Sequence, residues 1–201
     1  SLTFLIIGFA QGLCSGFSIV TAQRFGAEDA PGVRRSFASA LLLSGVISVV
    51  LTAVSTLCAR KLLTVMQTPP EILDGAAAYL TVVFAGIPAT MLFNALSNTL
   101  RALGDSKTPL KFLAFASVLN GCLDLVFIGL LGFGVICSAA TTVIAEAVSA
   151  ILCIVYVYKN IPVLALEPRE FRMDRPLLGL TLRYGGVTAL QQACQPVGKL
   201  F

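Results

Sequence analysis

Apolar residues run along this chain in long unbroken blocks, not in the alternating or striped patterns of a water-soluble domain. Phe37 to Ala59, Ala76 to Leu100, Leu110 to Leu130 and Val135 to Tyr158 are each blocks of this kind. At about 1.5 Å of helical rise per residue, each is long enough to cross a hydrocarbon layer about 30 Å thick. Two further candidates lie at the ends, Ser1 to Ala22 and Tyr184 to Phe201. The first lacks the basic leader and cleavage context of a signal peptide and reads as a true span. The pattern predicts an all-α fold, a polytopic transmembrane helix bundle.

Breakers punctuate the blocks. Gly26, Pro31 and Gly32 end the first, Pro69 and Pro70 open a later one, and Gly104, Asp105 and Pro109 separate the third complete block from the fourth. Pro88, Gly45, Gly86 and Gly121 fall inside blocks, where they permit bending or close packing. A weak echo joins two of the gaps: Arg24, Gly26, Asp29 and Pro31, then Arg101, Gly104, Asp105 and Pro109. The simplest account is that polar turns at a membrane edge favour these residue types. The chain begins at Ser1 and stops within an apolar block, so it is expected to be a piece of a longer polypeptide.

Composition agrees with the pattern, at 57% hydrophobic and 12% charged residues with a mean hydropathy of +0.90. The cations sort by gap. Arg24, Arg34 and Arg35, then Arg101, Lys107 and Lys111, then Lys159, Arg169, Arg172, Arg175 and Arg183 fall on one side, against Arg60 and Lys61 on the other. The positive-inside rule then puts Ser1 outside and the Arg-rich loops in the cytoplasm, for a multi-pass protein of the cell (cytoplasmic or inner) membrane. The net charge of +4 reflects that topology, and no nucleic-acid partner is expected. The chain has no histidine and no C-x-x-C, which leaves zinc sites and histidine-based catalysis without their groups. Its six cysteines fall mostly within apolar blocks and read as small packing residues.

Asp124 stands alone in an uncharged run from Phe112 to Ala145, with Asn120 one helical turn before it. An ionisable group at bilayer depth costs at least ~2.5 kcal/mol, so it marks a pathway, relay or coupling-ion residue by default. Counting from the Gly129 to Gly134 turn puts Asp124 about 9 Å and Thr142 about 12 Å below the outer membrane edge, so the two can meet. Asn120 and Glu146 share helix faces with Asp124 and Thr142, one turn deeper. A carboxylate beside an amide and a hydroxyl offers oxygen ligands to a hard monovalent cation, and its proton affinity responds to desolvation. Plain hydrogen bonding between helices remains the alternative, above all for Asn120 and Thr142. Glu146 lines a pathway for cationic substrates or pairs with a basic residue elsewhere. Gln191, Gln192 and Gln195 suggest a cavity-facing side of the last span, and Lys199 takes no role.

The run NTLRALGDSKTPLKFLAFASVLNGCLD from Asn98 to Asp124, with GFSIVTAQRFGAEDAP from Gly16 and GVICSAATTVIAEAVSA from Gly134, resembles the multidrug and toxic compound extrusion (MATE) transporters. Within them it looks like the branch similar to DNA-damage-inducible protein F. The resemblance implies two six-helix lobes, of which this chain holds the second to sixth helices and the start of the seventh. Residues 1–161 are then an incomplete N-terminal lobe without its first helix, 162–182 a cytoplasmic inter-lobe linker, and 183–201 the start of the seventh helix. It also implies that Asn120, Asp124 and Thr142 match a cation site completed by a carboxylate from the first helix. Gly185-Gly186 departs from the family, where many members place a proline, and this puts the bending of that helix in question.

The expected function is cation-coupled antiport, with H⁺ or Na⁺ driving export of amphipathic or cationic compounds. No cofactor, and no metal other than a Na⁺ at the coupling site, is expected. The partners are small molecules and the lipid bilayer, and the full-length protein is expected to be monomeric. A lipid-linked glycan flippase would want a basic cavity, which these blocks do not supply. An enzyme would need a paired nucleophile and base. A purely structural membrane subunit would leave Asp124 unexplained.

Overall fold

A computed structural model describes residues 2–65, 68–132, 134–166 and 175–198. Among the described residues, seven α-helices follow one another: α1 (Leu2–Gly26), α2 (Ala30–Val65), α3 (Pro70–Ala85), α4 (Ile87–Ala102), α5 (Lys107–Asp124), α6 (Val135–Asn160) and α7 (Arg175–Gly198). A π-helical turn, Leu125–Leu130, continues α5, and a 3₁₀ turn, Pro162–Leu164, follows α6. Among the described residues, five segments are long and apolar enough to cross a membrane: Ile6–Gly26, Ala30–Val65, Pro70–Ala102, Lys107–Leu130 and Ile136–Asn160. The protein is a multi-pass membrane protein. The expected span from Tyr184 is not among the five. Its helix starts earlier, at Arg175, and carries Arg183, Gln191 and Gln192, which dilute its apolar character.

The spans outrun their sequence-based limits. α2 has 36 residues, about 54 Å of helix, and so extends beyond the hydrocarbon at its ends. The third span is broken at Gly86 into α3 and α4. Pro88 cannot donate to the carbonyl of Phe84, four residues back, and that oxygen instead accepts the Thr52 hydroxyl of α2 at 3.1 Å. Gly86 is pressed against α6, where an added Cβ would stand 2.4 Å from Val143 Cγ2. Bending and close packing, the two uses expected of such residues, coincide at one place.

The two echoing turns also have a shared physical content. Asp29 Oδ1 accepts the backbone N–H of Gly32 at 3.0 Å, and Asp105 Oδ1 accepts that of Thr108 at 3.0 Å. Each aspartate caps the start of the next helix, α2 or α5, by satisfying an amide that has no intrahelical partner. Asp29 is also held by Arg24 at 3.2 Å. At the same end of the bundle, Arg34 donates to the carbonyls of Pro162 and Ala165 at 3.2 and 2.7 Å, tying the segment after α6 back to α2.

Three clusters of buried side chains make the core. Val33, Phe37, Leu100 and Val157 close the Arg-rich end, Phe84, Ile87 and Met91 fill the region around the α3–α4 break, and Leu13, Phe17, Leu43 and Ala189 join α1, α2 and α7. Among the described residues, the α1–α7 contact is the most extensive between two helices. A Cβ on Gly12 would lie 2.5 Å from the Cα of Ala189, and one on Gly16 2.5 Å from the Cα of Gly185. In lipid, where apolar burial between helices gains little, such backbone approach is a main source of helix association. Gly185 serves this contact, and α7 runs continuously through it. α5 contrasts with its neighbours, since only 6% of its most apolar stretch is buried and its packing is chiefly against α6. All six cysteines are free, two of them, Cys14 and Cys153, buried.

Candidate functional site

The hairpin of α5 and α6 sets two polar faces against each other. Asn120 and Asp124 are one turn apart on α5, and Thr141, Thr142 and Glu146 lie on α6. The Asn120 amide donates to Thr142 Oγ1 at 3.1 Å and approaches Thr141 Oγ1 at 3.4 Å. Thr141 donates to Asp124 Oδ1. The structure thus brings Asn120, Asp124 and Thr142 into one cluster, with the buried Thr141 at its centre.

Thr141 is the member that sequence reading missed. Helical counting brings Thr142 to the depth of Asp124 and says nothing of rotation, and its neighbour fits the same count. The signal for it is the Thr-Thr pair itself, which offers two hydroxyls about 100° apart on the helix at nearly one depth. Its geometry also matters chemically. Thr141 Oγ1 lies 2.9 Å from the carbonyl of Ser138 as well as beside Asp124. One hydroxyl thus has two acceptors within reach, the Asp124 carboxylate and a backbone carbonyl of its own helix. Directly after Asp124 the helix becomes π-wound over Leu125–Leu130, a local widening that recurs at functional positions.

Glu146 belongs to a second cluster. Its Oε2 accepts the hydroxyl of Thr90 on α4, and Thr90 Oγ1 also lies 3.2 Å from the carbonyl of Gly86 at the helix break. Beside it opens a cavity of about 420 Å³ between α1, α3, α4 and α6, with Gln11, Tyr79, Met91 and Thr142 among its lining residues. A smaller one of about 200 Å³ reaches toward α5 and Asn120, again past Gln11, Thr142 and Glu146. Thr142 and Glu146 therefore link the two clusters. Gln191 is exposed and Gln192 half-buried on α7, and neither is among the described residues that line the two cavities. The side chain of Gln195, and Lys199, lie outside the described residues.

Comparison gives this membrane bundle, with its carboxylate–amide–hydroxyl cluster on one helical hairpin, a family. The MatE family model matches residues 1–126, and the chain belongs to the MATE family. It is 32% identical over 191 residues to the probable multidrug resistance protein YoeA of Bacillus subtilis, covering 92% of this chain and 41% of that protein. It is 30% identical to the probable multidrug resistance protein YpnP of the same organism, covering 90% of this chain and 41% of the relative. The chain therefore spans less than half the length of these curated relatives. Among solved structures, an inward-facing multidrug resistance MATE family transporter of the MOP superfamily superposes with a TM-score of 0.87 at 28% identity, over 96% of this chain and 44% of that one. An outward-facing structure of such a transporter gives 0.89 at 27% identity, over 99% and 44%.

Proposed function

We propose that the chain is part of a cation-coupled exporter, in which binding of H⁺ or Na⁺ at Asn120, Asp124, Thr141 and Thr142 drives the outward passage of amphipathic or cationic compounds across the cytoplasmic membrane. The observation that carries this reading is the Asp124–Thr141–Ser138 chain, in which one hydroxyl lies between the carboxylate and a backbone carbonyl. A monovalent cation would find the carboxylate, the Asn120 carbonyl oxygen and the two threonine hydroxyls as a set of hard oxygen donors. Occupancy changes the charge held between α5 and α6, and so the relative stability of a wet and a packed arrangement of this hairpin.

Two further observations support it. The two relatives above are named as probable multidrug resistance proteins, in keeping with export of foreign compounds. The chain also matches inward- and outward-facing structures of such transporters almost equally well, with TM-scores of 0.87 and 0.89. The test is efflux of ethidium from proteoliposomes holding the intact protein, under a proton gradient and a sodium gradient applied separately. Asp124→Asn is expected to lose at least tenfold of the gradient-driven rate under one gradient, which identifies the ion. Undiminished driven efflux in the variant under both gradients would remove Asp124 from coupling.

A further inference from the structure

Where the turn between α1 and α2 meets the start of α7, a cavity of about 400 Å³ opens at the Arg-rich end of the bundle. It shares no described residue with the coupling cluster or with the cavity beside Glu146. Arg24, near the end of α1, and Arg35, near the start of α2, both line it. Asp29 is the one acid among the described lining residues, and both of its oxygens are engaged within the turn. Oδ1 accepts the Gly32 N–H at 3.0 Å and Oδ2 accepts Arg24 at 3.2 Å. A guanidinium carries several donors, so this contact leaves Arg24 with others to offer, and the described lining keeps a net positive charge. The first turns of α2 and α7 border the same space, and their helix dipoles add partial positive charge.

The rest of the described wall is apolar: Pro31, Pro176 and Leu180 are exposed, and Leu177 is buried. Membrane-helix ends with an excess of cations lie at the cytoplasmic surface of the bilayer, level with lipid phosphates. A small inorganic anion would gain nothing from prolines and leucines. A phospholipid brings a phosphate for the guanidinium groups and an acyl chain for the apolar wall. We infer that this cavity binds an anionic phospholipid of the cytoplasmic leaflet, with Arg24 and Arg35 holding the headgroup phosphate. A zwitterionic lipid carries an amine beside the same phosphate, which a net positive lining disfavours. A lipid seated there touches α2 and α7 at once, and so reinforces the α1–α7 seam from its cytoplasmic end. The assignment is independent of the coupling ion and of the exported compound.

The test is equilibrium binding of dioleoylphosphatidylglycerol to the intact protein in a neutral detergent, read by native mass spectrometry, with dioleoylphosphatidylcholine in parallel. The double variant Arg24→Gln, Arg35→Gln is expected to bind the anionic lipid at least tenfold more weakly and the zwitterionic lipid within twofold of wild type. Leu180→Asp, which leaves both arginines and the Asp29 cap in place, is expected to act alike, and decides the question if the arginine variant folds poorly. Arg60→Gln with Lys61→Gln removes two cations from the opposite end of the bundle and is expected to change nothing. Unchanged binding of the anionic lipid in the arginine and Leu180 variants overturns the proposal, as does an equal loss in the Arg60 and Lys61 variant. Displacement of the lipid by inorganic phosphate at equal concentration would assign the cavity to a free anion and overturn the lipid.

Discussion

Where α1 crosses α7, Gly12 and Gly16 meet Ala189 and Gly185 so closely that no side chain fits between them; where α5 crosses α6, the space holds Asn120, Asp124, Thr141 and Thr142. The first seam is built from the absence of side chains and the second from hydrogen-bonding ones. Backbone-to-backbone packing has one geometry and resists change, because any shift opens a void or drives atoms together. A hydroxyl that has two acceptors, as Thr141 has, can exchange partners without losing a bond. The protein thus combines a rigid seam with a switchable one, and the difference predicts how each responds to substitution.

The rigid seam should break hardest. Gly16→Leu forces a branched side chain into a gap already 2.5 Å from Gly185 Cα and Tyr184 O, and the expected outcome is loss of folded protein, read as the monodisperse fraction in detergent. Gly16→Ala should cost about 1–3 kcal/mol by overpacking, measured by thermal unfolding. Recovery of Gly16→Leu at wild-type yield would show that the seam is looser than the geometry requires.

At the switchable seam, Thr141→Val removes the donor to Asp124 and should cost about 1–3 kcal/mol of stability together with gradient-driven efflux. Thr141→Ser keeps the hydroxyl and should retain both. Equal behaviour of the valine and serine variants would reduce Thr141 to a packing residue. Gly121 on α5 sharpens the contrast with Gly16, since an added Cβ there meets nothing within 4 Å. Gly121→Ala should be neutral or raise stability by up to about 1 kcal/mol, the ordinary gain of alanine over glycine in a helix.

The smallest effect is expected outside both seams. Hydrogen bonds from Thr108 hold the Asp105 carboxyl below its ordinary value of 3.8. A lowered folded-state value means that the cap contributes fully above that ordinary range and is lost as the pH falls through the lower folded value. Asp105→Ala should cost about 0.5 kcal/mol at neutral pH and nothing at pH values below the folded one, which paired unfolding measurements would detect.

Much of this could be read from residue order. Asn120 and Asp124 are conspicuous because the run around them is uncharged, and the caps at Asp29 and Asp105 follow from turn chemistry. The glycine seam has a signal too, the four-residue spacing of Gly8, Gly12 and Gly16, though its partner on α7 has none comparable beyond Gly185 and Ala189. The Glu146–Thr90 contact joins residues 56 positions apart and leaves no local trace.

The sequence by itself determined that this is a bundle of membrane helices with an acid inside one span, because hydrocarbon admits only long apolar segments whose backbone groups are satisfied within the helix. Tertiary structure decided which hydroxyl serves which carboxylate. Neighbouring helical positions differ by about 100° in direction, and only the packing of α6 against α5 and α4 turns Thr141 toward Asp124 and Glu146 toward Thr90.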